Sequence, residues 1–287
     1  MTVMTAESML ATRILSFSYP DSPALRNLTL DFSQYNVTGI IGANGCGKST
    51  LFMNLSGILR PQEGEVWWDE EPLEYGQKAL RALRQRVVTV FQDPDQQIFY
   101  TDVESDIAFS LRNLGMDEDE VQRRTEYALQ MVGAEHFRHK PIQYLSFGQK
   151  KRVAIAGALV MESDYLLLDE PTAGLDPSGR KQMIDIISNI VAQGKRIIIS
   201  SHDIDLIYQI CDGVYVLSEG EIVGSGTPET VFVQKEMLEK AGLEQPWLVK
   251  LHSETGLPLC KTEQALFSLL RTASVPENHE QNGEEIL

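Results

Sequence analysis

Gly42-Ala43-Asn44-Gly45-Cys46-Gly47-Lys48-Ser49 is the stretch that decides the fold. It fits G-x-x-x-x-G-K-[ST] without a mismatch, and its flanks supply the context that pattern needs. Val37-Thr38-Gly39-Ile40-Ile41 before it reads as a buried strand. A helix is expected after it, from Lys48 to about Gly57, stopped by Gly57 and later by Pro61. In such a strand–loop–helix, glycines let the backbone curl so that successive N–H groups converge on phosphate oxygens. The helix N-terminus adds the positive end of its dipole. Lys48 is expected to reach the β- and γ-phosphates, and the Ser49 hydroxyl to ligate Mg2+. Cys46 fills a position that the pattern leaves free. A thiol beside a positive helix end can have a lowered pKa, in which case its alkylation would block nucleotide binding; an inert filler is the alternative reading.

Working outward, Tyr165-Leu166-Leu167-Leu168-Asp169-Glu170 is an apolar strand ending in two acids. Asp169 at the strand tip suits the hydration shell of Mg2+, and Glu170, pointing elsewhere, suits polarisation of an attacking water. Asp176 follows six residues later in Ala173-Gly174-Leu175-Asp176. Ser200-Ser201-His202-Asp203 closes the next strand. His202 is expected to touch the γ-phosphate where the strand ends converge.

Further strands are expected at Arg86–Phe91, Arg196–Ser200 and Val214–Ser218. Between about Asp102 and Met161 the β signal gives way to helical periodicity. The reading is an α/β core interrupted by an all-helical segment of about 60 residues. Beyond roughly Glu236 a weaker helical extension is expected, ending in a mobile acidic tail. The chain has 287 residues, with 25 Lys plus Arg against 41 Asp plus Glu, a net charge of −16. That balance argues against nucleic-acid binding, which rests on cations neutralising phosphates. The 43% hydrophobic content is that of a folded chain. No run approaches the roughly 18–20 apolar residues of a membrane span. Three scattered cysteines point to a reducing compartment, and the five histidines do not combine with them at zinc-site spacing.

These segments together resemble the ATP-binding cassette ATPases over about residues 10–235. The family's motifs occur in order at Gly42–Thr50, Gln92, Leu145-Ser146-Phe147-Gly148-Gln149, Leu166–Glu170, Ala173–Asp176 and His202. The resemblance implies an α/β P-loop NTPase core with an N-terminal antiparallel β region. Residues 8–236 would form the nucleotide-binding domain, with a helical subdomain at about 93–161, and 237–287 the C-terminal helical extension. It implies ATP and Mg2+ as ligands. Tyr19 would stack on adenine, while Gly42, Asn44, Gly45, Cys46, Gly47, Lys48, Ser49 and Thr50 cradle the phosphates. Ser49, Gln92 and Asp169 would hold the metal, and Glu170, His202, Lys48 and Gln92 would carry catalysis.

By the same resemblance, a second copy or a homologous ATPase closes head to tail. Ser146, Gly148, Gln149 and Asp176 then reach the partner's ATP, helped by a helix starting near Gln149. Phe147 stands where the family usually has Gly, and a backbone conformation open to a side chain is inferred there. The stretch Phe91-Gln92-Asp93-Pro94-Asp95-Gln96-Gln97-Ile98-Phe99 is similar to ATPases of energy-coupling-factor transporters. The signature segment looks like their cobalt-transport branch. This implies an ATPase peripheral to the cytoplasmic face of the cell membrane, docked to a membrane coupling subunit and a substrate-binding membrane subunit. Ile98, Phe99 and Tyr100 are expected to line the groove for an amphipathic helix. Nickel or a vitamin in place of cobalt, and a soluble cassette outside transport, are the alternatives.

Overall fold

Alternating side chains along short apolar strands create two cores on opposite faces of one sheet. The computed structural model describes residues 9–273. The expected acidic tail and residue 8 lie outside the described residues. The central sheet has six strands in the order β10-β9-β3-β8-β7-β6. These are β3 (Val37–Ile41), β6 (Val87–Val90), β7 (Tyr165–Asp169), β8 (Arg196–Ser201), β9 (Gly213–Ser218) and β10 (Glu221–Gly226). Pairing is parallel from β9 through β6, and β10 returns antiparallel as a hairpin. A second, antiparallel sheet of order β2-β1-β4-β5 is built from β1 (Leu10–Tyr19), β2 (Ser22–Asp31), β4 (Glu63–Trp68) and β5 (Glu71–Pro72). The expected α/β class with an antiparallel N-terminal region is the observed one.

Leu167 and Ile198 face the second sheet, where they share a core with Leu51, Phe52 and Leu55 of helix α1 (Lys48–Leu55). Helix α2 (Gln77–Arg86) adds Leu83 to that core. Leu166, Leu168, Ile197 and Ile199 face the other way, into the larger core. That core is filled from α3 (Val103–Asn113), α4 (Glu118–Met131), α5 (Phe147–Leu159) and α6 (Pro177–Ala192). Helices α3 to α5 all lie between β6 and β7, so the helical insertion hangs from one edge of the sheet. After β8 come α7 (Ile204–Ile210), then α8 (Pro228–Phe232), α9 (Lys235–Lys240), α10 (Trp247–Thr255) and α11 (Glu263–Ala273). Leu238, Leu243, Val249 and Leu266 of this last stretch join the larger core rather than forming one of their own. No described helix is long and apolar enough to cross a membrane.

Register is what assembles the site. Asp169 pairs with Ser200, and Ser201 with Ile41, the residue before the glycine loop. Three distant segments therefore end on one edge of the sheet, at the carboxyl ends of its parallel strands.

Candidate functional site

The glycine loop closes onto α1 through Gly47, whose φ is 114°. An L side chain there would be strained, and its Cβ would meet the Ala24 carbonyl at 2.6 Å. No side chain caps α1. Its first N–H groups are thus left for an anion. Lys48 is buried, and its Nζ donates to the Gly42 and Ala43 carbonyls at 2.7 and 3.2 Å. The ammonium is folded back over the loop; these two bonds use two of its three N–H donors, which leaves the third to turn to an arriving phosphate. Asn44 and Gly45 are exposed at the loop tip, while Thr50 is buried. The Tyr19 hydroxyl lies 3.4 Å from Thr50 Oγ1, and its half-exposed ring stands edge-on to Phe17. The expected adenine platform is thereby beside the loop.

Cys46 departs from expectation. Its side chain packs into the core under the loop, and burial pushes its thiol up despite nearby Lys48. Desolvation of a thiolate outweighs the favourable field there. The expectation of a lowered pKa is thus reversed in direction, and the Cys46 side chain serves the packing beneath the loop.

Ser49 Oγ donates to Asp169 Oδ2 at 2.7 Å, joining residues 120 positions apart. Ser200 Oγ donates to the other oxygen, Asp169 Oδ1, and accepts from the Glu170 N–H at 3.2 Å. Glu170 is buried, with a positive φ of 48°. Its Oε2 lies 2.8 Å from His202 Nδ1 and accepts from Ser201 Oγ at 3.3 Å. His202, expected on the γ-phosphate, rests its Nδ1 on Glu170 at the strand ends, with its ring more than half exposed. Gln92 is exposed just past β6.

The signature segment closes on itself. Ser146 caps α5 in a capping box: its Oγ accepts from Gln149 N at 3.3 Å, and Gln149 Oε1 accepts from Ser146 N at 3.0 Å. The helix consequently begins at Phe147, two residues before the expected start near Gln149. Phe147 occupies the first helical position without a positive φ, and its ring lies against Gly174. Gly148 approaches Leu175. Asp176 is exposed and caps α6, accepting from Gly179 N at 2.7 Å.

The three residues expected to form a groove also separate. Ile98 is half-buried against the larger core, whereas Phe99 and Tyr100 are exposed and lean on Phe109. Asp106 fixes their loop by accepting from both of their N–H groups, at 2.8 and 2.9 Å.

Sequence reasoning missed Ser200, Ser201 and Lys151. Hydroxyls at a strand end carry no distinctive pattern. Lys151 hides in the basic run Lys150-Lys151-Arg152, yet it is 3% exposed. Its spacing from Phe147, Ala154 and Ile155 was the available signal, because positions i, i+3 and i+4 share one helix face. Its Nζ donates to the Glu170 carbonyl at 2.7 Å, and burial lowers its pKa from 10.5 to about 8 against the pull of Glu170, Asp169 and Asp93.

Comparison with known proteins places this arrangement among relatives. A family profile described as ABC transporter matches residues 25–173. The chain is 65% identical over 269 residues to the cobalt import ATP-binding protein CbiO of Salmonella paratyphi A, covering 94% of this chain and 99% of that one. It superimposes on the structure of cbiO1 from Clostridium perfringens, part of the ABC transporter complex cbiONQ, with a TM-score of 0.75 at 42% identity. That match covers 86% of this chain and all of the other. A dimeric bacterial ABC transporter cassette matches with a TM-score of 0.70 at 25% identity, over 77% of this chain and 99% of that one.

Proposed function

The chain belongs to the ABC transporter family of ATPases, and on that premise we propose that it hydrolyses ATP to drive cobalt import through a membrane complex of the energy-coupling-factor type. The observation that carries the hydrolytic reading is the pair of contacts beside the glycine loop, Ser49–Asp169 and Glu170–His202. The cargo is taken from the 65% likeness to a cobalt import ATP-binding protein.

In this reading, the loop N–H groups and Lys48 bind the triphosphate, and Tyr19 stacks on the base. Glu170 accepts a proton from the attacking water, and His202 holds the carboxylate in place. Ser49 and Asp169 form a hard oxygen pair already in contact, which suits Mg2+. Gln92 joins them. Among the described residues no group of three or more His, Cys, Asp or Glu side chains would hold a metal by itself. An ion held there would offset charge developing on the phosphoryl oxygens.

Ser146, Gly148, Gln149 and Asp176 complete the site of a second copy, or of a homologous ATPase, across a head-to-tail interface. The placement of Ser146 at a helix N-terminus supports this, because the dipole there favours an anion. Residues 8–236 act as the nucleotide-binding domain, with its helical subdomain at about 93–161, and 237–287 as an extension. Phe99 and Tyr100 dock a membrane coupling subunit, which keeps the chain peripheral at the cytoplasmic face beside a substrate-binding membrane subunit.

The test is Co2+ uptake by cells carrying the membrane subunits with this chain or its Glu170→Gln variant. Uptake with the intact chain and loss with the variant are expected. Hydrolysis by Glu170→Gln at the normal rate would overturn the assignment of the base. Uptake of Ni2+ but not Co2+ would overturn the cargo.

A further inference from the structure

Glu170 is held from both sides of its backbone. Its N–H donates to Ser200, to the carbonyl at 3.0 Å and to Oγ at 3.2 Å. Its carbonyl accepts from Lys151 Nζ at 2.7 Å and from the Ala173 N–H at 3.1 Å. The first clamp comes from the neighbouring strand; on the carbonyl side the turn at Ala173 holds locally, and Lys151 adds a shorter bond from the signature helix α5. The next residue is Pro171, which has no N–H to offer. Between the clamps, Glu170 keeps a φ of 48°, a conformation that disfavours an L side chain. The two peptide planes flanking a residue set the direction of its Cα–Cβ bond. Here that direction brings Oε2 to His202.

We infer that Lys151 is a positioning residue for the hydrolytic carboxylate, transmitting the placement of the signature helix to Glu170 through its carbonyl. Burying an ammonium is unfavourable unless it is well paired, so stability alone does not account for a lysine here. A methionine would fill the same space without that penalty. The link continues toward the interface side of α5. The Lys151 ammonium lies 5.4 Å from the Phe147 ring one turn earlier, and that ring covers Gly174. A shift of α5 when its N-terminus meets a ligand therefore moves the lysine bond to the Glu170 carbonyl, while the Ser200 and Ala173 bonds stay with the strand end and its turn.

This inference rests on the reading of Glu170 as the base, and the experiment separates the two. The full chain is compared with its Lys151→Met, Lys151→Arg and Glu170→Gln variants in steady-state ATP hydrolysis and thermal unfolding. Lys151→Met is expected to lower kcat at least tenfold, with KM for ATP within about twofold and Tm unchanged or higher. Lys151→Arg, which keeps a charged donor, recovers part of kcat. Should Lys151→Met fail to fold, Lys151→Gln takes its place; its amide is too short to reach the carbonyl, and the same selective loss is expected. Normal kcat in the folded neutral variant alongside an inactive Glu170→Gln removes Lys151 from the mechanism and leaves the base assignment standing. Parallel losses of kcat, KM and Tm, or equal loss in the Arg variant, also overturn the inference. Normal turnover in Glu170→Gln instead overturns the underlying reading.

Discussion

Adding one methyl group at Gly174 probes the contact that takes the place of the usual signature glycine. The new Cβ would stand 2.9 Å from Cε1 of Phe147 and 3.4 Å from Cδ1, on a backbone whose φ is 76°. Two separable penalties follow. The left-handed backbone costs an L residue roughly 1–2 kcal/mol, partly offset by a stiffer unfolded chain, leaving about 1 kcal/mol. The ring, 41% exposed, is free to swing outward, and in doing so it leaves its seat 5.4 Å from the Lys151 ammonium. Losing that contact costs about 0.5–1 kcal/mol. Gly174→Ala should therefore destabilise the chain by about 2 kcal/mol when Phe147 is present, and by about 1 kcal/mol in a Phe147→Ala background. Urea unfolding of the four proteins in the cycle measures the difference as a coupling near 1 kcal/mol. Equal costs of Gly174→Ala in both backgrounds would show that the ring does not lean on the glycine.

Two more outcomes follow from the same geometry. Phe99→Glu and Tyr100→Glu should each abolish co-purification with the membrane coupling subunit while ATP affinity stays within about twofold, since both side chains are exposed; Ile98→Glu should instead lower Tm, because that side chain packs on the core. The pH dependence of stability should carry the mark of Lys151. Its pKa falls from 10.5 to about 8 on folding, so the unfolded chain holds the proton more tightly and stability rises with pH through that window. Wild type should gain about 3 kcal/mol relative to Lys151→Met across it, read from urea midpoints at successive pH values. A constant gap would place the ammonium in contact with water.

Much of this architecture was legible in the sequence because it is local. A phosphate cradle is made by consecutive backbone groups between a strand and a helix, and Gly42–Ser49 carries that geometry within eight residues. Apolar runs at Val37–Ile41 and Tyr165–Asp169 declared strands, the second ending in the two acids that the fold brings to Ser49 and His202. Order along the chain also placed the helical insertion between two sheet strands.

What the sequence left open depends on contacts between distant segments. Ser200 meets Asp169 only through the parallel register of β7 and β8, and Ser49 meets Asp169 across 120 positions. Lys150, Lys151 and Arg152 read alike as charge, and only the packing of α5 against the sheet sends the middle one inward to Glu170. Burial likewise reversed the expectation for Cys46, because desolvation depends on what lies beneath the loop. Residue type and spacing specify the chemistry available, whereas the dielectric, the hydrogen-bond partner and the direction of each side chain exist only once the layers have closed.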